Sequence, residues 1–312
     1  MNGESSPRCS VVIAAHNAAR TVAKTVASVR LQTFEDWEAI VVDDGSSDDT
    51  AAIVEAILDP RVRLVRQANQ GPSTARNTGL QAARGAFVST LDSDDFWLPL
   101  YLERMTGLLD RNPDAGIAYI DAWAMDDATG RIRKTSAMTY QRPPVPPPSA
   151  PPEFLRALLA SNFVYNSVTM RREVVEAAGG YDRLIWGGED WELWLRIASL
   201  GYRFVRADDL LAVYRHREGS LSTQSNHMVA GNTRVYDLVA HHWDVPPEVK
   251  EQAERLGAAY RDRHERPRRD LLLPLRLVKR AVDRRTLWYE KPPGEVADAL
   301  AAIDALVTHG AT

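Results

Sequence analysis

In the first third of the chain, short apolar runs alternate with segments of helical spacing, and three of the runs break off into a polar cluster. Ser10–Ala15 gives way to His16-Asn17, Trp37–Val42 to Asp43-Asp44-Gly45-Ser46-Ser47, and Phe87–Leu91 to Asp92-Ser93-Asp94-Asp95. Between them, Val22, Val26 and Val29, then Ile53, Val54, Ile57 and Leu58, fall on single helix faces. Val62–Val65 reads as a short strand, and Gly71-Pro72 opens a further helix that ends at Gly85. Strand and helix in alternation predict an α/β chain, with a mostly parallel, Rossmann-like sheet flanked by helices. Ligands of such sheets bind beyond the carboxyl ends of the strands. All three polar clusters sit at those ends, so they read as one site rather than as three sets of helix caps.

The last cluster carries the clearest chemistry. A buried strand running into three carboxylates brings several oxygen ligands within reach of one hard cation, Mn2+ or Mg2+. Such an ion keeps open positions for the oxygens of a substrate phosphate. The competing reading is capping of the helix that begins near Leu98-Pro99.

Composition narrows the partners. The net charge of −4 gives no case for nucleic acid. A single cysteine, Cys9, excludes an internal disulfide and a cysteine-rich metal site, and fits a reducing compartment. Met1–Ser10 lacks the apolar core of a signal peptide, and no window reaches the ~20 apolar residues of a membrane span. The expectation is a cytoplasmic protein, soluble or peripheral at the inner face of the membrane.

The second part of the chain changes character. Ile117–Met125 reads as one strand, and Asp126–Gly130 as the turn of a hairpin into Arg131–Thr135. The proline-dense Pro143–Pro152 reads as surface loop, not helix. Glu153–Ala160, Arg172–Ala178 and the segment from Glu189 to Gly201 read as helices, Asn162–Met170 as extended chain, and Tyr202–Val205 and Leu210–Tyr214 as the last strands. From about Asn226 only helical patterns and proline breakers remain. The expected division is therefore a catalytic domain over 1–225, with halves at about 8–125 and 126–225, and a helical C-terminal appendage over 226–312. Arg255–Arg285 carries eleven Lys or Arg against four Asp or Glu, around Leu271–Leu277. Segment 255–285 reads either as a peripheral contact with an anionic membrane or as a helix packing its leucines inward.

Taken in order, several stretches give the chain a family resemblance. They are Val11–Asn17, Leu31-Gln32-Thr33-Phe34, Val42–Asp48, Gly71–Gly79, Leu91–Asp95 with Pro99, and Gly188-Glu189-Asp190-Trp191. Over roughly residues 8–222 the chain resembles the glycosyltransferase family 2 enzymes, which have the GT-A fold and invert the sugar they transfer from a nucleotide donor. The resemblance implies a UDP-sugar donor and a glycan, lipid-linked or small-molecule acceptor, in surface-glycan biosynthesis. It makes Asp44 the contact to the nucleotide base and places Ala15, His16, Asn17, Arg76, Asp92 and Ser93 around the nucleotide. Asp94 becomes the metal ligand, with His216 a second candidate, while Asp95 caps a helix. Asp190 becomes the base that deprotonates the acceptor, and Glu189, Trp186 and Trp191 face the acceptor. His16 departs from the family, where many members have Tyr.

Each assignment has a structural rival. A carboxylate at a helix start also caps it, a lone histidine is often structural, and tryptophans near a helix are more often core, Trp194 above all. Two other functions compete. A sugar nucleotidyltransferase would want a glycine-rich basic loop after the first strand, and Ala14–Asn17 is not one. A non-catalytic sugar- or nucleotide-binding protein would not need Asp92, Asp94 and Asp190 together.

Overall fold

The computed structural model describes residues 6–133, 136–138, 148–217, 225–265, 288–289 and 291–309. The first part runs β1 (Cys9–Ala15), α1 (Val22–Arg30), β2 (Trp37–Asp44), α2 (Thr50–Glu55), β3 (Val62–Gln67), α3 (Pro72–Ala82) and β4 (Phe87–Thr90). Then come β5 (Phe96–Trp97), α4 (Tyr101–Arg111), β6 (Ala115–Tyr119), β7 (Ala122–Asp126), α5 (Pro151–Ala160), β8 (Val168–Arg171) and α6 (Arg172–Ala177). After α7 (Glu189–Ser199), β9 (Arg203–Arg206) and β10 (Ala212–His216), the chain continues as α8 (Ser225–Asp237), a π-helical turn (Leu238–His242), α9 (Pro247–Glu265) and α10 (Gly294–His309).

Seven strands form one sheet in the order β3-β2-β1-β4-β8-β6-β9. Only β8 runs against the others in it, pairing antiparallel with β4 and β6. The register sets Ala15 beside Asp43, Asp44 beside Gln67, and Val12 beside Thr90, so β1, β2 and β4 end along one edge. Period-two alternation divides the core. Val11 and Ile13 face a cluster shared with α1 and α4, whereas Val12, Val42 and Val88 face Ala75 of α3.

A second sheet, β5-β10-β7, corrects the reading of Ile117–Met125 as one strand. The run splits at Ile120-Asp121: β6 belongs to the large sheet and β7 to the small one. Asp121, buried, turns the chain there by accepting the Ala122 and Met138 backbone N–H groups at 2.7 and 3.0 Å. Both strands are buried, so apolar character runs through the break and hides it. The tight turn after β7 is present, with Asp126 and Arg131 backbone-paired and Met125 bridged to Ile132; Lys134 and Thr135 lie outside the described residues. Pro151-Pro152, expected as loop, instead open α5, where the missing N–H groups cost nothing. Residues 141–147 lie outside the described residues.

Helices α8 and α9 share a core with the preceding elements. Val235, Tyr236, Val239, Val249 and Ala253 cluster with Leu158 of α5 and Trp191 and Leu195 of α7. Helix α10 returns to the start of the chain: Val296, Ala299 and Ile303 join the cluster of α1, and Lys24 pairs with Asp304 at 2.6 Å. The segment 266–287, most of the basic stretch, lies outside the described residues. Among the described residues no helix is long and apolar enough to cross a membrane.

Candidate active site

A cavity of about 840 Å3 opens along the edge where β1, β2 and β4 end. Its walls include Ala15, His16 and Asp44 from the first two strand ends, Arg76 of α3, and Asp92-Ser93-Asp94 after β4. Opposite elements contribute Tyr165, Asn166, Trp186, Glu189, Asp190 and Trp191, then residues of α8 and α9. Asn17 and His216 are not on these walls.

The residues at the ends of β1 and β2 are fixed by one another. His16 Nδ1 donates to the Asp44 carbonyl at 2.9 Å, which leaves Nε2 to accept from Asn17 Nδ2 at 3.0 Å. Asn17, at φ +50°, accepts the Ser47 N–H at 2.9 Å and so ties two loops together. Its place is therefore behind His16, not on the cavity. Asp44 caps no helix. Its Oδ1 accepts from Gln67 Nε2 and Gln70 N, and its Oδ2 from Gly71 N, all within 2.9 Å. A carboxylate has about four acceptor positions, so three of them are taken by the protein. Gly71, at φ +87°, has no room for a side chain, because a Cβ there would lie 2.8 Å from the Trp186 ring.

Arg76 is the hub between the two acidic motifs. Its guanidinium donates to Asp92 Oδ1 and Glu189 Oε1, each at 2.8 Å, over the Tyr181 ring at 5.3 Å. Burial works against its charge, but Asp92 and Glu189 outweigh that and hold it protonated. Glu189 spends its other oxygen on the Gly187 N–H at 3.1 Å. Both oxygens thus bind protein groups, although Glu189 itself lies on the cavity wall.

The carboxylates after β4 divide their work. Asp92 Oδ1 also accepts from Asn166 Nδ2 at 2.9 Å. Asp94, 21% exposed at its side chain, faces the cavity and accepts from Arg217 Nε at 3.1 Å. Burial and then the Asp92 charge raise its pKa, so the corner favours an added cation. Among the described residues no three His, Cys, Asp or Glu side chains converge as a metal cage. One or two carboxylates opening on a cavity suit Mg2+ or Mn2+, which take further oxygens from substrate phosphates and water. The donor set fits such an ion, which Asp94 would hold. His216 does not join Asp94. It ends β10 exposed, off the cavity wall, and Arg217 rather than His216 reaches the carboxylate.

Asp95 is not a helix cap but a buried latch. It accepts the Tyr165 hydroxyl and, at 2.8 Å, the Arg215 N–H, so it ties the acidic loop to β10. Neither Tyr165, Asn166 nor Arg217 stands out in the sequence. The one available signal was Asn166, a polar residue inside an extended apolar stretch.

Asp190 lies in the first turn of α7, after Gly187-Gly188, and accepts the Trp191 N–H at 2.6 Å. Burial, then the neighbouring Glu189 charge, push its pKa up to about 7. It therefore changes charge near neutrality, as a general base should. Trp186, 44% exposed, presents its ring to the cavity, but Trp191 is 4% exposed and donates its indole N–H to the Leu158 carbonyl at 2.8 Å. Trp191 is core that touches the cavity wall, and Trp194 is wholly core.

A mostly parallel sheet whose strand ends open on one acid-lined cavity is the architecture of the GT-A fold. Residues 10–177 match the sequence model of the family described as Glycosyl transferase family 2, and the chain belongs to that family. It is 33% identical over 230 residues to the succinoglycan biosynthesis protein ExoO of Rhizobium meliloti, covering 69% of this chain and 63% of that one. Over 104 residues it is 38% identical to the UDP-Glc:alpha-D-GlcNAc-diphosphoundecaprenol beta-1,3-glucosyltransferase WfgD of Escherichia coli, covering 33% and 41% of the two chains. Each match thus spans less than two thirds of the relative. The fold is similar to that of the mannosyltransferase PcManGT from Pyrobaculum calidifontis, solved with GDP-Man and Mn2+ (TM-score 0.59, 18% identity, 98% of this chain and 88% of that one).

Proposed function

We propose that the protein is an inverting, metal-dependent glycosyltransferase that moves a sugar from a UDP-sugar to an acceptor hydroxyl in surface-glycan biosynthesis. The observation that carries this reading is that Asp190, which burial and Glu189 push up to about 7, lines the same cavity as the Asp92–Asp94 corner. The acceptor O–H proton passes to the Asp190 carboxylate as its oxygen bonds to the anomeric carbon. The bond from that carbon to the diphosphate breaks, and UDP leaves with the electron pair. Attack opposite the leaving group inverts the centre. Arg76 keeps Asp92 and Glu189 fixed during the exchange, and Asp44 with His16 receives the base. A divalent cation held by Asp94 would offset the charge gathering on the diphosphate. The UDP-sugar and the lipid-linked acceptor follow the activity for which WfgD is named, and Mn2+ the PcManGT complex. A peripheral place at the membrane would bring the site to such an acceptor.

Donor hydrolysis, with water in place of the acceptor, tests the reading. UDP-glucose, UDP-GlcNAc and GDP-mannose are each incubated with Mn2+ and the wild type or Asp190→Asn. The expected result is cleavage of a UDP-sugar, reduced about 100- to 10,000-fold in Asp190→Asn while UDP still binds. Equal cleavage by both proteins would remove Asp190 as the base.

A further inference from the structure

The family match ends at residue 177, yet one wall of the cavity is built well beyond it. Met228, Asn232 and Tyr236 repeat every fourth residue on one face of α8; Leu256, Tyr260 and Arg263 share one face of α9. The two faces are clasped: Asn232 Nδ2 donates to the Tyr260 hydroxyl at 3.0 Å, and the Tyr236 and Tyr260 rings lie 5.9 Å apart. Tyr236 also lies 5.2 Å from the ring of Trp191, the residue after Asp190. Gly188, which leads into α7, would meet Asn232 Oδ1 at 2.6 Å if it carried a Cβ. The wall therefore starts beside the base and runs outward to Arg263.

Arg263 makes no hydrogen bond or ion pair among the described residues. Burial and then Tyr260 push the Tyr236 phenol up to about 12, while Arg263 pulls it the other way, which marks the guanidinium as a neighbour of the Tyr236 phenol. Aromatic faces suit the C–H surfaces of a sugar, and a guanidinium suits phosphate oxygens. An aromatic wall that ends in a guanidinium with no hydrogen bond or ion pair among the described residues fits a ligand with a sugar at one end and an anion at the other.

We propose that the α8–α9 wall is the acceptor subsite, and that the acceptor is a sugar carried on a diphosphate, its ring against Tyr236 and Tyr260 and its diphosphate at Arg263. This rests on the glycosyltransferase reading. It gives the acceptor's charge a cation of its own, separate from the Asp92–Asp94 corner that serves the donor.

The test is calorimetric titration of the full chain, saturated with UDP and Mn2+, with the decyl ester of α-D-GlcNAc diphosphate. Decyl α-D-GlcNAc and inorganic pyrophosphate are the comparison ligands. The wild type should bind the diphosphate ester roughly tenfold more tightly than the uncharged glycoside. Arg263→Gln should close that gap, and Arg263→Lys should reopen part of it, with UDP affinity the same in all three proteins. A gap that survives Arg263→Gln, or no gap in the wild type, overturns the proposal. Pyrophosphate binding as tight as the ester also overturns it, since the site would then hold an anion without its sugar. UDP binding is measured first and reports the donor site alone. If UDP fails to bind, the glycosyltransferase reading falls, and titration of the three ligands into the protein alone still reads the subsite.

Discussion

Asp190 and Arg76 carry most of the chemistry at the scale of single residues. A base must be deprotonated to act, and burial with Glu189 raises the pKa of Asp190 to about 7. The kcat/KM for donor cleavage should therefore rise with pH up to about 7 and level off above it. Glu189→Gln removes the nearest like charge, so the limb should move to lower pH; a limb that stays put would separate Glu189 from the base. Arg76→Lys places one ammonium where a fork now reaches two carboxylates on different elements. Breaking a buried pair of this kind costs about 3–5 kcal/mol, read as a lower denaturant midpoint. The motif residues were legible in the sequence because three polar clusters fall at the ends of strands that share one sheet edge. Their partners were not. Asn166, Tyr165 and Arg217 reach the acids from 70 or more positions away, and no local pattern announces contacts set by the packing of β4, β8 and β10.

Among the elements, the strand–helix alternation of β1 to β4 was readable because β1, β2 and β4 are short, mainly apolar runs that end in polar clusters. The small sheet was not. Its member β5 has two residues, and β7 continues the apolar run of β6, so periodicity gives no sign of the switch between sheets. The loop Gly187-Gly188 shows how an element depends on a distant one. A Cβ at Gly231 of α8 would lie 1.7 Å from the Gly187 carbonyl oxygen. Gly231→Val should thus push α8 off the loop that leads into α7, at a cost of roughly 1–3 kcal/mol in chemical denaturation. An unchanged midpoint would show that α8 does not dock there.

The whole molecule is closed by the part of the chain that the sequence marks off as a separate run of helices. Helices α8 and α9 complete the cavity wall, and α10 packs on α1. Amphipathic spacing shows that such helices have an apolar face, but not which surface it covers. Ile303→Ala, at a position 1% exposed, should cost about 2–5 kcal/mol in denaturant unfolding and leave donor cleavage intact. The central claim, that the acidic corner receives a metal-bound nucleotide diphosphate, is tested most directly by calorimetric titration of UDP with and without Mn2+. Wild type and Asp94→Asn are compared. The account predicts binding that needs both Mn2+ and Asp94. Equal affinity without the ion, or in Asp94→Asn, would contradict it.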